Sequence, residues 1–138
     1  MAKRTRTVTT CPCGRGLEYA ECCGPAHDGT APPTAEALMR SRYSAFALDN
    51  DAYVLLTWHP HTRPAAVEPD RGLRWVGLDV LESSGGGMFD NEGVVQFRAH
   101  YRDHGRPGDM VERSRFVRYE GQWVYWGPIL TDGSLANI

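Results

Sequence analysis

The chain of 138 residues carries a net charge of −2, with 41% hydrophobic and 23% charged residues. That length suits one domain with a small appendage, and the proportions are those of a soluble globular chain with a real core. The near-balanced charge supplies no electrostatic footprint for nucleic acid or an anionic membrane, and no run approaches the ~20 apolar residues of a bilayer span.

Residues 1–10 are polar and basic, with Lys3, Arg4 and Arg6. No apolar run follows these charges, so no export signal is expected and the cytoplasm, where thiols stay reduced, is the expected compartment. Residues 11–29 hold all four cysteines together with Gly14, Gly16, Gly24 and Gly29, a stretch too poor in apolar side chains for a core of its own. Pro32 and Pro33 read as a short linker. From Thr34, a good N-cap, Ala35, Leu38, Met39, Tyr43, Phe46 and Ala47 recur at helical spacing. A second helix is predicted from Asn50 or Asp51, carrying Tyr53, Val54, Leu56 and Trp58 and stopped by Pro60.

Beyond a breaker-rich loop at 60–72 the periodicity changes to alternation. Strands are predicted at 73–81, 93–101, 110–119 and 122–126, with turns at 83–87, 103–108 and Glu120-Gly121. Helices followed by an antiparallel meander define an α+β fold with helices on one face of the sheet.

The cysteines follow the spacing C-x-C-x8-C-C at Cys11, Cys13, Cys22 and Cys23. Two close thiolate pairs joined by a short loop can clasp one zinc ion as a tetrahedron, with Pro12 turning the first pair. A bond between adjacent Cys22 and Cys23 would close a strained ring, and cross-pairing between the clusters runs against the reducing compartment. A reactive thiol calls for one exposed thiolate rather than four together. Four sulfur ligands leave no open position, so the zinc is expected to be structural.

Cys11-Pro12-Cys13-Gly14, Gly16, Tyr19 and Cys22-Cys23 resemble the SEC-C motif, the zinc-binding tail of the SecA preprotein translocase. Leu17 and Glu18 stand where that motif commonly has lysines. Residues 37–46, 57–60, 93–101 and 112–116, with Trp75 and Leu78, resemble the YchJ-type family of uncharacterised bacterial proteins, which join a SEC-C finger to a nuclear-transport-factor-2-like domain. The resemblance implies a finger over 1–30 and, over 31–138, a conical half-barrel in which a curved antiparallel sheet wraps the helices. By analogy with the translocase tail it implies a protein partner such as a secretion chaperone or a ribosome-associated factor.

Such a cone often encloses a pocket, and alternation on the second strand sets Gln96, Arg98 and His100 apart from Val95, Phe97, Ala99 and Tyr101. Asp79, sharing a face with Leu73, Trp75 and Gly77, could act there as a general base or pair with an arginine. Asp79, Arg98 and His100 are thus the pocket candidates, with a water-facing surface as the plainer reading. His59 reads as a helix-end residue, and His27 could ligate zinc only in place of a cysteine. Trp58, Trp75, Trp123 and Trp126 are expected to pack. With no Ser/His/Asp set, phosphate loop or carboxylate pair, the sequence favours a non-enzymatic, zinc-binding interaction protein. Its rival is a small-molecule binder or enzyme using the cone pocket.

Overall fold

The structure, a computed structural model, describes residues 10–67 and 72–129. The basic tail with Lys3, Arg4 and Arg6, and the loop residues Pro69 and Asp70, fall outside them. A short 3-10 turn (Tyr19–Glu21) and helix α1 (Gly24–His27) follow the first cysteines. Helices α2 (Ala35–Ala47) and α3 (Asp51–Leu56) precede strands β1 (Leu73–Gly85), β2 (Glu92–Asp103), β3 (Arg106–Tyr119) and β4 (Gln122–Pro128).

Both helix starts form where the sequence places them. The Thr34 hydroxyl accepts from the Ala37 N–H at 3.1 Å, and the Asn50 side chain accepts from the Tyr53 N–H at 3.2 Å. Each satisfies an N–H that the first turn leaves without a partner. Helix α3 ends at Leu56, so Trp58 lies outside it. Trp58 instead forms an isolated parallel bridge to Tyr125, with Tyr125 N–H donating to Thr57 O at 2.8 Å and His59 N–H to Tyr125 O at 2.9 Å. This short segment covers part of the outer edge of β4, which would otherwise offer unpaired backbone groups.

The sheet is an antiparallel meander in the order β1-β2-β3-β4. Its turns are tighter than the composition suggests. His104-Gly105 (φ 52° and 86°) and Glu120-Gly121 (φ 51° and 84°) are two-residue turns with both residues in the left-handed region, which matches strand twist. Pro107 and Gly108, predicted as turn, belong to β3, and Ser83, Ser84 and Gly85 belong to β1. Helix α2 lies across the sheet. Leu38, Met39 and Tyr43 share a core with Leu78, Val95, Ala99, Phe116 and Trp123. At one end α2 meets the β1–β2 connection, where a side chain on Gly86 would strike Ala35 and one on Gly93 would strike Gly86. No helix among the described residues is long and apolar enough to cross a membrane.

Candidate metal centre

The four cysteine sulfurs lie within 4.8 Å of one another, and Cys13 Sγ is 3.5 Å from Cys22 Sγ. None is in a disulfide. A tetrahedron with metal–sulfur bonds of about 2.3 Å has sulfur–sulfur edges of about 3.8 Å, so the cluster is already close to that size. The donor set therefore fits one thiophilic metal ion. Among themselves the thiols compete for protons. The hydrogen bond from Cys23 holds Cys13 down at about 4, while burial pushes Cys22 up to about 11. Cys23 is pushed further up, chiefly because its proton is shared with Cys13. A cation taking the place of those protons would satisfy all four sulfurs together.

Local sequence creates this geometry. Cys11 N–H donates to Leu17 O at 2.8 Å, and Thr10 bridges Glu18, closing the loop that carries Cys13. Gly14 and Gly16 both have φ near +85°, a conformation costly for other residues. A side chain on Gly14 would stand 3.1 Å from Leu78 O of β1, and one on Gly24 would stand 2.8 Å from Tyr19 O. The cysteine segment is thus pressed onto the sheet and onto its own 3-10 turn.

Three of the sulfurs are buried: Cys11, Cys13 and Cys23 are 2%, 0% and 4% exposed and belong to the core that contains Leu38 and Phe116. Polar contacts to α2 complete the attachment. Cys11 Sγ lies 3.4 Å from Ser44 Oγ, and Arg40 Nη1 donates to Cys13 O at 2.8 Å. Arg40 of α2 thus brings a basic side chain to the centre's backbone, while Arg15 contributes a backbone N–H to Cys13. Sequence reasoning missed Ser44 and Arg40 because their relation to the cysteines is purely tertiary. His27 is no ligand. Its Nε2 donates to Ser41 O at 2.8 Å, which leaves Nδ1 to accept from the Tyr19 hydroxyl at 2.6 Å, so both ring nitrogens are occupied.

The pocket candidates Asp79, Arg98 and His100 face away from the cone's cavity, which corrects the expectation that they line it. The cavity takes its lining from the other face, including Arg42, Trp58, Phe97, Glu112 and Tyr125. Asp79 is exposed and bonds His100 Nε2 at 2.7 Å, while Arg98 pairs with Asp109 at 3.1 Å. Arg98 and His100 alternate with Phe97 and Ala99, which line the cavity, and so face out; for Asp79 the cause is a β-bulge. Trp75 pairs with Tyr101 and Gly77 with His100, so Val76 is an extra residue that reverses the inside–outside phase. Trp75 points into the cavity and Asp79 does not, although strict alternation would put them together. His59 packs edge-on between Tyr119 and Trp126, with burial lowering its pKa, and His104 sits in the β2–β3 turn.

The polar groups that do line the cavity had one legible signal. Met110, Glu112, Ser114 and Phe116 alternate on one face of β3, and an acid on such a face is unusual. Arg42, in the middle of α2, gave no comparable sign.

A cysteine-cluster segment fused to a helix-filled antiparallel sheet defines a SEC-C motif joined to a nuclear-transport-factor-2-like domain. Residues 9–25 match the SEC-C motif, and residues 34–128 match the middle NTF2-like domain of YchJ. The chain belongs to this YchJ (UPF0225) family. A UPF0225 protein of Streptomyces coelicolor is 54% identical over 116 residues, covering 83% of this chain and 90% of the relative. One from Chromobacterium violaceum is 45% identical over 130 residues, covering 91% and 96%. The solution structure of a SEC-C motif containing protein from Rhodopseudomonas palustris superposes with a TM-score of 0.75 at 34% identity, covering 86% of this chain and 96% of that one. A crystal structure of a SEC-C motif containing protein from Psychrobacter arcticus gives 0.69 at 25% identity, covering 94% and 85%.

Proposed function

We propose that the protein holds one structural zinc ion through Cys11, Cys13, Cys22 and Cys23 and works in the cytoplasm as a non-enzymatic protein-interaction module. The observation that carries this is a four-sulfur cluster whose members lie within 4.8 Å and are largely buried in the core shared with α2. Such a site is full when the metal is bound, leaving no position for substrate, so the ion's work is to fasten the segment onto the domain. The fastened segment displays Arg15, Leu17, Glu18, Ala20 and Glu21 to solvent, with Leu17 42% exposed. A rigid apolar residue ringed by charges suits a protein partner. By analogy with the translocase tail, a secretion chaperone or a ribosome-associated factor is the partner class.

The test has two parts. Elemental analysis of protein purified without added metal is expected to give about one zinc per chain, with thiols released only by chelator or denaturant. Pull-downs then compare wild type with Leu17→Asp, a surface change that spares the ligands, and with Cys22→Ser. Loss of the same partners in both supports the interaction role, and unchanged partner sets in both refute it.

A further inference from the structure

The cavity between α2 and the concave face of the sheet encloses about 260 Å³ and is unrelated to the cysteine centre. Its walls are mainly aromatic and apolar, formed by Tyr43, Phe46, Trp58, Trp75, Phe97 and Met110. Several rings meet edge to face, Tyr43 with Trp75 at 6.2 Å and Trp58 with Tyr125 at 5.1 Å, and so present both faces and edges to a flat guest. Small-molecule sites combine such walls with a few fixed polar groups.

Two charged groups stand among these walls. Arg42 is 5% exposed, and its Nη1 donates to Val54 O and Thr57 Oγ1, each at 2.8 Å. The guanidinium also lies 5.0 Å from the Trp58 ring centre and 4.5 Å from that of Tyr125. Its charge is therefore held by carbonyl, hydroxyl and π faces, without a carboxylate in contact among the described residues. Glu112 Oε2 accepts from Ser114 Oγ at 2.5 Å and from the Tyr125 hydroxyl at 2.7 Å. Both bonds fall on one oxygen, which leaves Oε1 without a protein donor among the described residues. Donors are left over as well. Among the described residues, Trp58 Nε1 is buried without an acceptor, and the Tyr43 hydroxyl approaches the Gly77 backbone without a well-formed hydrogen bond.

We propose that this cavity is a binding site for a small, uncharged aromatic molecule whose hydroxyl donates to Glu112 Oε1. Arg42 and Glu112 both line the cavity, so a ligand of either charge would lose its hydration beside a like charge as well as an opposite one. A hydroxyl both donates and accepts, which answers the spare acceptor on Glu112 and the spare donors elsewhere in the lining.

The test titrates the full-length, metal-loaded protein with 2-naphthol, 2-methoxynaphthalene and 2-naphthoate, following amide and indole resonances by NMR. 2-Naphthol is expected to move Trp58, Trp75 and Ala99 signals and to bind about tenfold more tightly than either relative. Equal binding by the methyl ether would remove the hydrogen bond to Glu112 from the account. Tighter binding by the naphthoate would make this an anion site at Arg42, and absence of cavity shifts with all three would leave no ligand site; each overturns the proposal. Ala99→Leu, which narrows the cavity floor, is expected to abolish 2-naphthol binding while retaining its metal, and undiminished binding in that variant counts against the site. The comparison of the three compounds on wild-type protein stands even if that variant does not fold.

Discussion

Two glycines in the cysteine loop separate backbone strain from docking onto the sheet. Gly14 and Gly16 have the same φ of 85°, but only Gly14 faces a neighbour, Leu78 O of β1 at 3.1 Å from where a Cβ would stand; Gly16 has nothing within 4 Å. Alanine at Gly16 costs the left-handed backbone, about 1–2 kcal/mol, less a few tenths regained from the stiffer unfolded chain. Alanine at Gly14 carries the same strain and adds a contact with a carbonyl in a paired strand, where Leu78 faces Ala99 and cannot readily yield. A further ~1 kcal/mol follows from that overpacking. At this size 1 kcal/mol moves the melting temperature by about 3–5 °C. Thermal unfolding of metal-loaded protein should therefore place Gly14→Ala several degrees below Gly16→Ala. The metal should also leave Gly14→Ala at a lower chelator concentration, because Cys13 adjoins the displaced residue. Equal melting temperatures and equal chelator resistance would mean that the cysteine loop does not lean on β1, and the reasoning would fail.

Removing the metal from wild type by chelator is expected to lower stability by about 3 kcal/mol or more while the far-ultraviolet signal of the sheet persists, because Phe116 and Trp123 keep a core beyond the cysteines. Acid should release it too, since protons compete for the thiolates as pH falls. Arg42→Met is expected to cost about 2–4 kcal/mol by denaturant unfolding, because buried Val54 O loses its 2.8 Å donor and keeps only a 3.3 Å contact with Thr57 Oγ1. Arg42→Lys should rescue little of this, since a lysine cannot lie flat between Trp58 and Tyr125. Burial pushes the Tyr43 hydroxyl up to about 12, so its contribution is fully present below its ordinary pKa near 10 and is lost as pH rises through 12. Relative to wild type, Tyr43→Phe should be neutral or up to ~1 kcal/mol more stable at pH 7 and should lose less stability between pH 10 and 12. A parallel decline in both proteins would show that Tyr43 does not titrate as burial dictates.

Much of this protein was legible along the chain because the decisive interactions are short in sequence. The cysteine pairs, the Gly14 and Gly16 turns and the Tyr19 position span a dozen residues, and their chemistry follows from spacing. The caps at Thr34 and Asn50 are equally local, each closing a bond to a residue three positions on. Strand existence and order were readable from alternation and turn residues, and the meander needs no long crossover to confuse it.

What the tertiary structure alone decided is which face each strand residue occupies and what the cysteines rest on. A strand read by strict alternation puts Trp75 and Asp79 together, but one extra residue at Val76 separates them, and a second irregularity between Val80 and Glu82 shifts the phase again. A bulge arises where strain, twist and partner packing favour it, so Val76 carries no local mark of the reversal. Likewise Ser44 and Arg40 reach the centre only because α2 packs against it, 33 and 27 residues from Cys11 and Cys13. The spacing of the cysteines is set by a few covalent bonds; the cavity of Arg42 and Glu112 exists only once burial has chosen the inner face.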